Sequence, residues 1–305
     1  MDKYFEPSVF SQSQMEDIIR NPDFVESISK EDLLDVLERA VKILSKEKAI
    51  VEVESKDKIV FVGDTHGDFE ITKEIVREFF DEGILVFLGD YIDREPIKWG
   101  SIFNITYLLM LKTLYPKKIY LLKGNHESNY VIPCYPYEFE MELIQRYGST
   151  DLHQKFVEVF SLMPLMFLGK KVFAAHGGIP VGYNMERLRK LDKSDRIAIE
   201  LVTWSDPEIS PTFRGAGYPF NEKDLEIFLK EIGANVFIRG HDYNTLGFSI
   251  YGNRCLTIFS SSRYREMGNK GILVAIAERE VTSVDDLKIK DFSSGTWKDY
   301  KVRKV

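Results

Sequence analysis

The stretch Ile84-Leu85-Val86-Phe87-Leu88-Gly89-Asp90-Tyr91-Ile92-Asp93-Arg94 decides how this chain is read. Five apolar residues in a row, two of them β-branched, predict a strand buried on both faces. Gly89 then lets the backbone turn sharply. Two carboxylates and a guanidinium follow just past the strand's end. Charged groups are costly at the edge of a core unless they have partners. Asp90, Asp93 and Arg94 therefore imply metal ions and an anion at this place.

Similar junctions lie on either side. Ile59-Val60-Phe61-Val62 runs into Gly63-Asp64-Thr65-His66-Gly67-Asp68, and Lys118-Ile119-Tyr120-Leu121-Leu122 leads to Gly124-Asn125-His126-Glu127. Between them, Ile71, Ile75, Val76 and Phe79, then Ile102, Phe103, Ile105, Leu108 and Leu109, recur at helical intervals. Strand, helix, strand, helix, strand predicts parallel strands in an α/β fold. Their carboxyl ends share one sheet edge, where ligands collect. Two later apolar runs end in His176-Gly177-Gly178 and Arg239-Gly240-His241-Asp242.

The rest reads as scaffold. Apolar spacing predicts helix from about Ser11 to Lys48, with Ser29-x-x-Asp32 as a start signal. About residues 1–50 are expected to form a helical cover on one catalytic domain spanning 1–305. Tyr130 to Leu168 reads as helical and Val181 to Phe220 largely as loop, with a helical piece near Arg187 to Glu200. Lys223 to Ile232 reads as helix. Antiparallel strands follow, and the polar tail after Asp291 is expected to be solvated.

Composition bounds the function. The 305 residues are 44% hydrophobic and 29% charged, an ordinary globular balance. A net charge of −7 argues against a nucleic-acid partner. No apolar run is long enough to span a bilayer, and the N-terminus lacks the basic and apolar regions of a signal peptide. Cys134 and Cys255 form neither a metal motif nor a disulfide framework. The expected location is cytoplasmic.

Four of the five histidines, His66, His126, His176 and His241, stand at strand ends. Imidazole and carboxylate without thiolate suit Mn, Fe, Zn or Co, not a structural zinc knot. The ligands are too many for one tetrahedral ion. Two ions sharing a carboxylate is the economical arrangement, and Asp90, on the middle strand, is the natural bridge. Two ions roughly 3.5–4 Å apart clamp a tetrahedral phosphoryl group.

The ordered set Gly-Asp-x-His-Gly, Gly-Asp-x-x-Asp-Arg and Gly-Asn-His-Glu resembles the metallophosphoesterase signature. With His176-Gly-Gly and Arg239-Gly-His241 it resembles the PPP family of serine/threonine protein phosphatases, over most of the chain. The resemblance implies a calcineurin-like fold, two central mixed β-sheets flanked by helices. It implies Asp64 and His66 on a first metal, Asp90 bridging, and Asn125, His176 and His241 on a second. His126 would be the proton donor, oriented by Asp93. Arg94 and Arg214 would bind the phosphoryl oxygens, with Tyr264 near the substrate, Tyr137 lining the cleft and Arg239 structural. The implied reaction is dephosphorylation of phosphoserine and phosphothreonine in phosphoprotein partners, by attack of a metal-bridging hydroxide. Mn²⁺ is the ion expected to support it.

A small-molecule phosphatase, such as a dinucleoside-polyphosphate hydrolase, shares the early motifs. A phosphoprotein-binding module with a dead site is the rival of another class. Two departures from the family pattern stand out. Glu95 replaces the usual glycine after the motif arginine, where a carboxylate beside Arg94 would either compete with phosphate or shift substrate preference. Ser260-Ser261-Ser262-Arg263-Tyr264-Arg265 replaces Ser-Ala-Pro-Asn-Tyr-Cys, so the toxin-reactive cysteine is absent. The expectation is a compact, stand-alone, prokaryote-like catalytic chain.

Overall fold

The computed structural model describes residues 17–210, 214–266 and 271–305. In chain order the strands are β1 Ile50–Val53, β2 Lys58–Val62, β3 Gly83–Phe87, β4 Ile119–Leu121, β5 Met166–Gly169, β6 Val172–Ala175, β7 Val236–Arg239, β8 Phe248–Ile250, β9 Cys255–Thr257, β10 Leu273–Ala277, β11 Lys288–Ser293, β12 Thr296–Asp299 and β13 Arg303–Lys304. The helices are α1 Lys30–Leu44, α2 Phe69–Phe79, α3 Gly100–Leu114, α4 Phe139–Tyr147, α5 Asp151–Leu162, α6 Met185–Arg189, α7 Arg196–Trp204, α8 Glu222–Ile232 and α9 Ser262–Glu266.

Two sheets form, ordered β12-β11-β10-β2-β3-β4 and β1-β5-β6-β7-β9-β8-β13. The expected parallel trio β2, β3, β4 is present, and β10 runs antiparallel against β2. In the second sheet β6, β7 and β9 are parallel, while β5 and β8 are antiparallel to their neighbours β6 and β9. Both sheets are mixed, as the resemblance implied. Successive side chains of a strand point to opposite faces. Ile59 and Phe61 of β2 accordingly join Phe167, Ile238 and Leu256 of the second sheet in one buried cluster. Val60 and Val62 join the helices in another. Both faces of the sheet are covered, which explains the unbroken apolar runs.

Helix α1 starts where the sequence signalled, with Ser29 Oγ accepting the Asp32 amide at 3.1 Å. Its buried face, Leu33, Val36, Leu37, Ala40 and Leu44, packs in the cluster that holds α3 and α5. Lys193 Nζ donates to Leu44 O, Glu47 O and Leu162 O at 2.8, 2.7 and 2.9 Å. It thereby satisfies carbonyls at the ends of α1 and α5. Lys123 Nζ in turn donates to the Lys193 carbonyl at 3.1 Å.

The structure differs from expectation in four places. The helix read over Ser11–Lys48 narrows to α1, preceded by a short 3₁₀ turn at Pro22–Ser27; Ser11–Glu16 lie outside the described residues. The helical middle ends at Leu162, and β5 begins at Met166. The piece near Arg187–Glu200 is two helices, because Asp195 caps α7 by accepting the Ala198 amide at 2.9 Å. The tail is not all solvated. Ser294 and Gly295, at φ 52° and 74°, make a two-residue hairpin that returns β12 onto β11. Trp297 then packs its ring 4.9 Å from Phe79. Among the described residues no helix is long and apolar enough to cross a membrane.

Candidate active site

The carboxyl ends of β2, β3, β4, β6 and β7 deliver the chemistry to one place. Close backbone approach is built in by glycine. A Cβ on Gly240 would lie 1.9 Å from Asp64 Oδ1, and one on Gly124 would lie 2.2 Å from Asp90 Oδ1. His66, Asp90, Asp93, Arg94 and His241 all hold positive φ, between 42° and 64°. Such positions cost about 1–3 kcal/mol each and persist only where surroundings over-determine them. Glu127 is one such restraint. Its carboxylate accepts the backbone amides of Asp90, Tyr91 and Gly124 at 2.8, 2.8 and 3.0 Å.

The metal-type residues converge around Asp90 Oδ2. This atom lies 3.5 Å from His66 Nε2 and 3.3 Å from His176 Nε2. Asn125 Oδ1 lies 3.0 Å from both His176 Nε2 and His241 Nδ1. Asp64 Oδ2 is 4.0 Å from His66 Nε2, and its Oδ1 is 3.8 Å from His176 Nδ1. Two ligands about 2.1 Å from one ion at right angles are about 3 Å apart, so the Asn125, His176, His241 and Asp90 donors suit a metal. All six side chains are buried. Among the described residues, the ion-pair partners of Asp64 and Asp90 are histidines. The donor set therefore fits a pair of cations.

Electrostatics sort the histidines. Burial, reinforced by Arg94 for His66 and by Arg214 for His241, holds these two well below the usual imidazole range. They are neutral, the form that ligates. His66 Nδ1–H donates to the Ile92 carbonyl at 3.0 Å, which leaves the Nε2 lone pair facing Asp90. Burial acts against a charge on His126 too, but Asp90 and Asp93 outweigh it and raise its pKa well above the ordinary value. Burial and the Asp90 charge push Asp64 up to about 7, against the pull of His176. Asp90 is also penalised by burial, yet His176, His126 and His66 hold it well below the carboxylate range.

His126 Nδ1 donates to Asp93 Oδ2 at 2.5 Å, and Nε2 is buried with no hydrogen-bond partner. Asp93 Oδ1 accepts the amides of Glu138 and Phe139 at 2.7 and 2.9 Å. Arg94 Nη1 donates to Tyr264 Oη at 2.8 Å and to His66 Nε2 at 3.2 Å. Arg214 Nε donates to Asp206 Oδ2 at 2.7 Å. Both arginines line a cavity of about 310 Å³ together with Asp90, Asn125 and His241. Every predicted site residue but Tyr137 thus lies in or against one centre.

Three readings change or sharpen. The Glu95 carboxylate accepts from Ser101 Oγ at 2.9 Å rather than from Arg94. Two consecutive left-handed residues reverse the chain there. Tyr137 turns its hydroxyl to His153 Nε2 at 2.8 Å instead of to the cavity. Arg239 is fully buried and structural, donating to Asp206 Oδ1 at 2.7 Å and to the carbonyls of Gly177 and Ser205. Sequence reasoning missed Asp206, Glu127 and the cavity residues Pro133, Cys134, Tyr135 and Trp204. The Trp204-Ser205-Asp206-Pro207 stretch was visible, but nothing in it announced a bridge between two arginines.

Residues 57–244 match the family model described as calcineurin-like phosphoesterase. A protein of Encephalitozoon cuniculi, described as a probable serine/threonine-protein phosphatase, is 30% identical over 257 residues, which cover 80% of this chain and 55% of that protein. A Candida albicans protein, described as serine/threonine-protein phosphatase PP2A-like PPG1, is 33% identical over 246 residues, 74% of this chain and 57% of that one. The chain spans just over half the length of these curated relatives. Among solved structures, a Saccharomyces cerevisiae serine/threonine phosphatase described as similar to human phosphatase PP5 matches with a TM-score of 0.77 at 21% identity, covering 93% of this chain and 96% of that one. A cold-active protein-tyrosine phosphatase of a psychrophilic Shewanella matches at 0.61 and 16%, covering 85% and 84%. At these identities the structural matches speak for the fold.

Proposed function

The chain belongs to the calcineurin-like phosphoesterase family, and from that premise we propose that it hydrolyses the phosphomonoesters of serine and threonine in proteins. The relatives named as serine/threonine phosphatases support the substrate class. The observation that carries the reading is the His126–Asp93 pair beside Asp90, in a centre whose cavity holds two arginines.

Asp64, His66 and Asp90 would hold one metal ion, and Asp90, Asn125, His176 and His241 the other. Bound there, a metal pair supplies an activated water nucleophile and neutralises charge on the phosphoryl group. Manganese, iron and zinc all suit imidazole, carboxylate and amide donors, and we favour Mn²⁺ for activity in solution. The protein's own groups do the rest. Each guanidinium has five N–H donors, more than Tyr264 takes from Arg94 or Asp206 from Arg214. The remaining donors fit phosphoryl oxygens as a planar fork. Protonated His126, with Nδ1–H held by Asp93, has Nε2–H free to protonate the departing alkoxide. Cys134 and Cys255 are both free, buried thiols, in keeping with a cytoplasmic protein.

The test is a substrate panel assayed with added Mn²⁺: phosphoserine, phosphothreonine and phosphotyrosine peptides, diadenosine tetraphosphate and a phosphodiester. The phosphoserine and phosphothreonine peptides should turn over fastest. Preference for diadenosine tetraphosphate would make the chain a small-molecule hydrolase. Binding of phosphopeptide without turnover, with two metals present, would make it a recognition module.

A further inference from the structure

Cys134 takes no part in the chemistry described so far, yet it lines the same cavity as Arg94, Asn125 and Arg214. Its backbone amide donates to Asn129 Oδ1 at 2.8 Å, which ties down the loop after the Gly124–Glu127 turn. The side chain packs beside Ile132 and Trp204 and is 8% exposed. There the sulfur meets the proton donor. Cys134, His126 and Asp93 each offer one ligand atom, and the three atoms lie within 4.8 Å of one another. No sequence motif marks the trio, because it joins the loop after β3 to the loop after β4.

The cluster has the chemistry of a metal site. Thiolate, imidazole and carboxylate together suit Zn²⁺ and other thiophilic ions, whereas Mn²⁺ prefers oxygen. Around a tetrahedral ion with bonds of about 2.0–2.3 Å, such atoms stand roughly 3.3–3.6 Å apart, so the trio needs to close by at most about 1.5 Å. His126 Nε2 is buried with no hydrogen-bond partner, while Asp93 Oδ2 fixes the ring through Nδ1. Metal-binding histidines are oriented in this way, one nitrogen held by a carboxylate and the other free. Charge balances as well. Binding releases one proton from the thiol and one from the imidazolium, and admits one divalent cation. The net charge of the buried cluster is unchanged, so no unpaired charge enters the interior.

Oxidation is the poorer use of this sulfur. Burial pushes the Cys134 thiol up, against the pull of His126, and a protonated thiol is a weak nucleophile. A metal ion supplies its own driving force for removing that proton. The other thiol, Cys255 of β9, is fully buried, and burial pushes it up to about 12, so it does not compete.

We propose that Cys134, His126 and Asp93 form a third cation site, apart from the dinuclear centre, that takes Zn²⁺ or a similarly thiophilic divalent ion and thereby silences the proton donor. A metal-bound imidazole is neutral and has no imidazolium proton to give. The silencing rests on the donor role proposed for His126; the binding does not.

The experiment uses the Mn²⁺-loaded protein. Cd²⁺ is the probe of binding, because a cadmium-bound thiolate gives an ultraviolet charge-transfer band that imidazole and carboxylate do not. The parent should develop the band at one Cd²⁺ per chain and keep both Mn²⁺ ions. Cys134→Ser and Cys134→Ala should each abolish the band, and His126→Asn should weaken the ion by at least the roughly 10–100-fold that loss of a supporting residue costs. Zn²⁺ should inhibit turnover of a phosphoserine peptide far more than that of p-nitrophenyl phosphate, whose leaving group departs without protonation. The Cys134 variants should resist Zn²⁺, each measured against its own uninhibited rate. A band that survives in Cys134→Ser, or Cd²⁺ bound only in exchange for Mn²⁺, overturns the site. So does a band undiminished in His126→Asn, since the thiol then binds alone. The band together with equal inhibition of both substrates overturns the silencing, and with it the donor role of His126, while the site stands.

Discussion

Replacing Asp93 by Asn keeps a side chain of the same shape and removes one charge. Asp93 Oδ1 accepts two backbone amides, at 2.7 and 2.9 Å, while Oδ2 holds His126 Nδ1 at 2.5 Å. In the variant the two amides need the oxygen, so the NH₂ group faces His126. An NH₂ group only donates, so Nδ1 must give up its proton. His126 becomes a neutral imidazole, a much weaker acid, with its remaining proton on Nε2. A hydrogen bond to a charged group contributes about 1.5–3 kcal/mol. At about 1.4 kcal/mol per factor of ten, this is a loss of roughly 10- to 150-fold in kcat on a phosphoserine peptide. Turnover of p-nitrophenyl phosphate should be nearly unchanged. Because Asp93 is one of the charges that raise His126, the alkaline limb of the peptide profile should also move to lower pH. His126→Asn removes the acid outright and should lose ~10²–10⁴-fold on the peptide with its metals retained. Equal losses on both substrates, with one metal ion missing, would refute the reasoning: His126 would then be a ligand, a role that His66 and Asp90 beside it also permit.

Elemental analysis should find two metals per chain, chelation should abolish turnover, and Mn²⁺ should restore it; full activity in a verified metal-free preparation contradicts this. Asp90→Asn should hurt more than Asp64→Asn, since Asp90 Oδ2 lies within 3.5 Å of both His66 and His176. Arg214→Ala should weaken inhibition by inorganic phosphate as well as turnover, and Lys should rescue poorly for want of a bidentate fork; unchanged phosphate inhibition would clear Arg214 of that role. Gly240→Ala places a methyl group 1.9 Å from Asp64 Oδ1 and should cost bound metal more than thermal stability, read by metal content beside a melting curve. Glu142 has a folded pKa raised from 4.5 to about 8. Its contribution to stability is therefore full below about pH 4.5 and is lost as pH rises to about 8. Glu142→Gln should flatten that part of the denaturation–pH profile, and an unchanged slope would show that Glu142 is not the group responsible.

The strand ends were legible because two sources of signal coincided. Burial on both faces left β2, β3 and β4 as continuous apolar runs, and glycine marked where each ended. The ligand-type residues sat immediately beyond, so spacing alone grouped them. What escaped was of two kinds. Strands β1 and β5, four residues each, are too short for periodicity to separate from their helical surroundings. The β11–β12 hairpin depends on one Trp297 packing onto Phe79, which a polar composition conceals. Within the site, Glu127 and Asp206 act on residues more than thirty positions away, Asp90 and Arg239, and no local pattern records such a contact. Glu95 was misread for the opposite reason. It is next to Arg94 in sequence, but the left-handed turn at Asp93 and Arg94 leaves its carboxylate on Ser101.

One ammonium group bears on how this protein could be taken apart. Lys193 supplies the closing donors for the ends of both α1 and α5, and its own carbonyl is held by Lys123, the residue before the Gly124-Asn125-His126 turn. The helical cover is therefore not a cassette. A graft that exchanged α1 would have to present its last carbonyls to the same nitrogen, or leave a half-buried cation short of two partners. Anyone trimming this chain to a smaller catalyst would meet that constraint first at a lysine with no part in the chemistry.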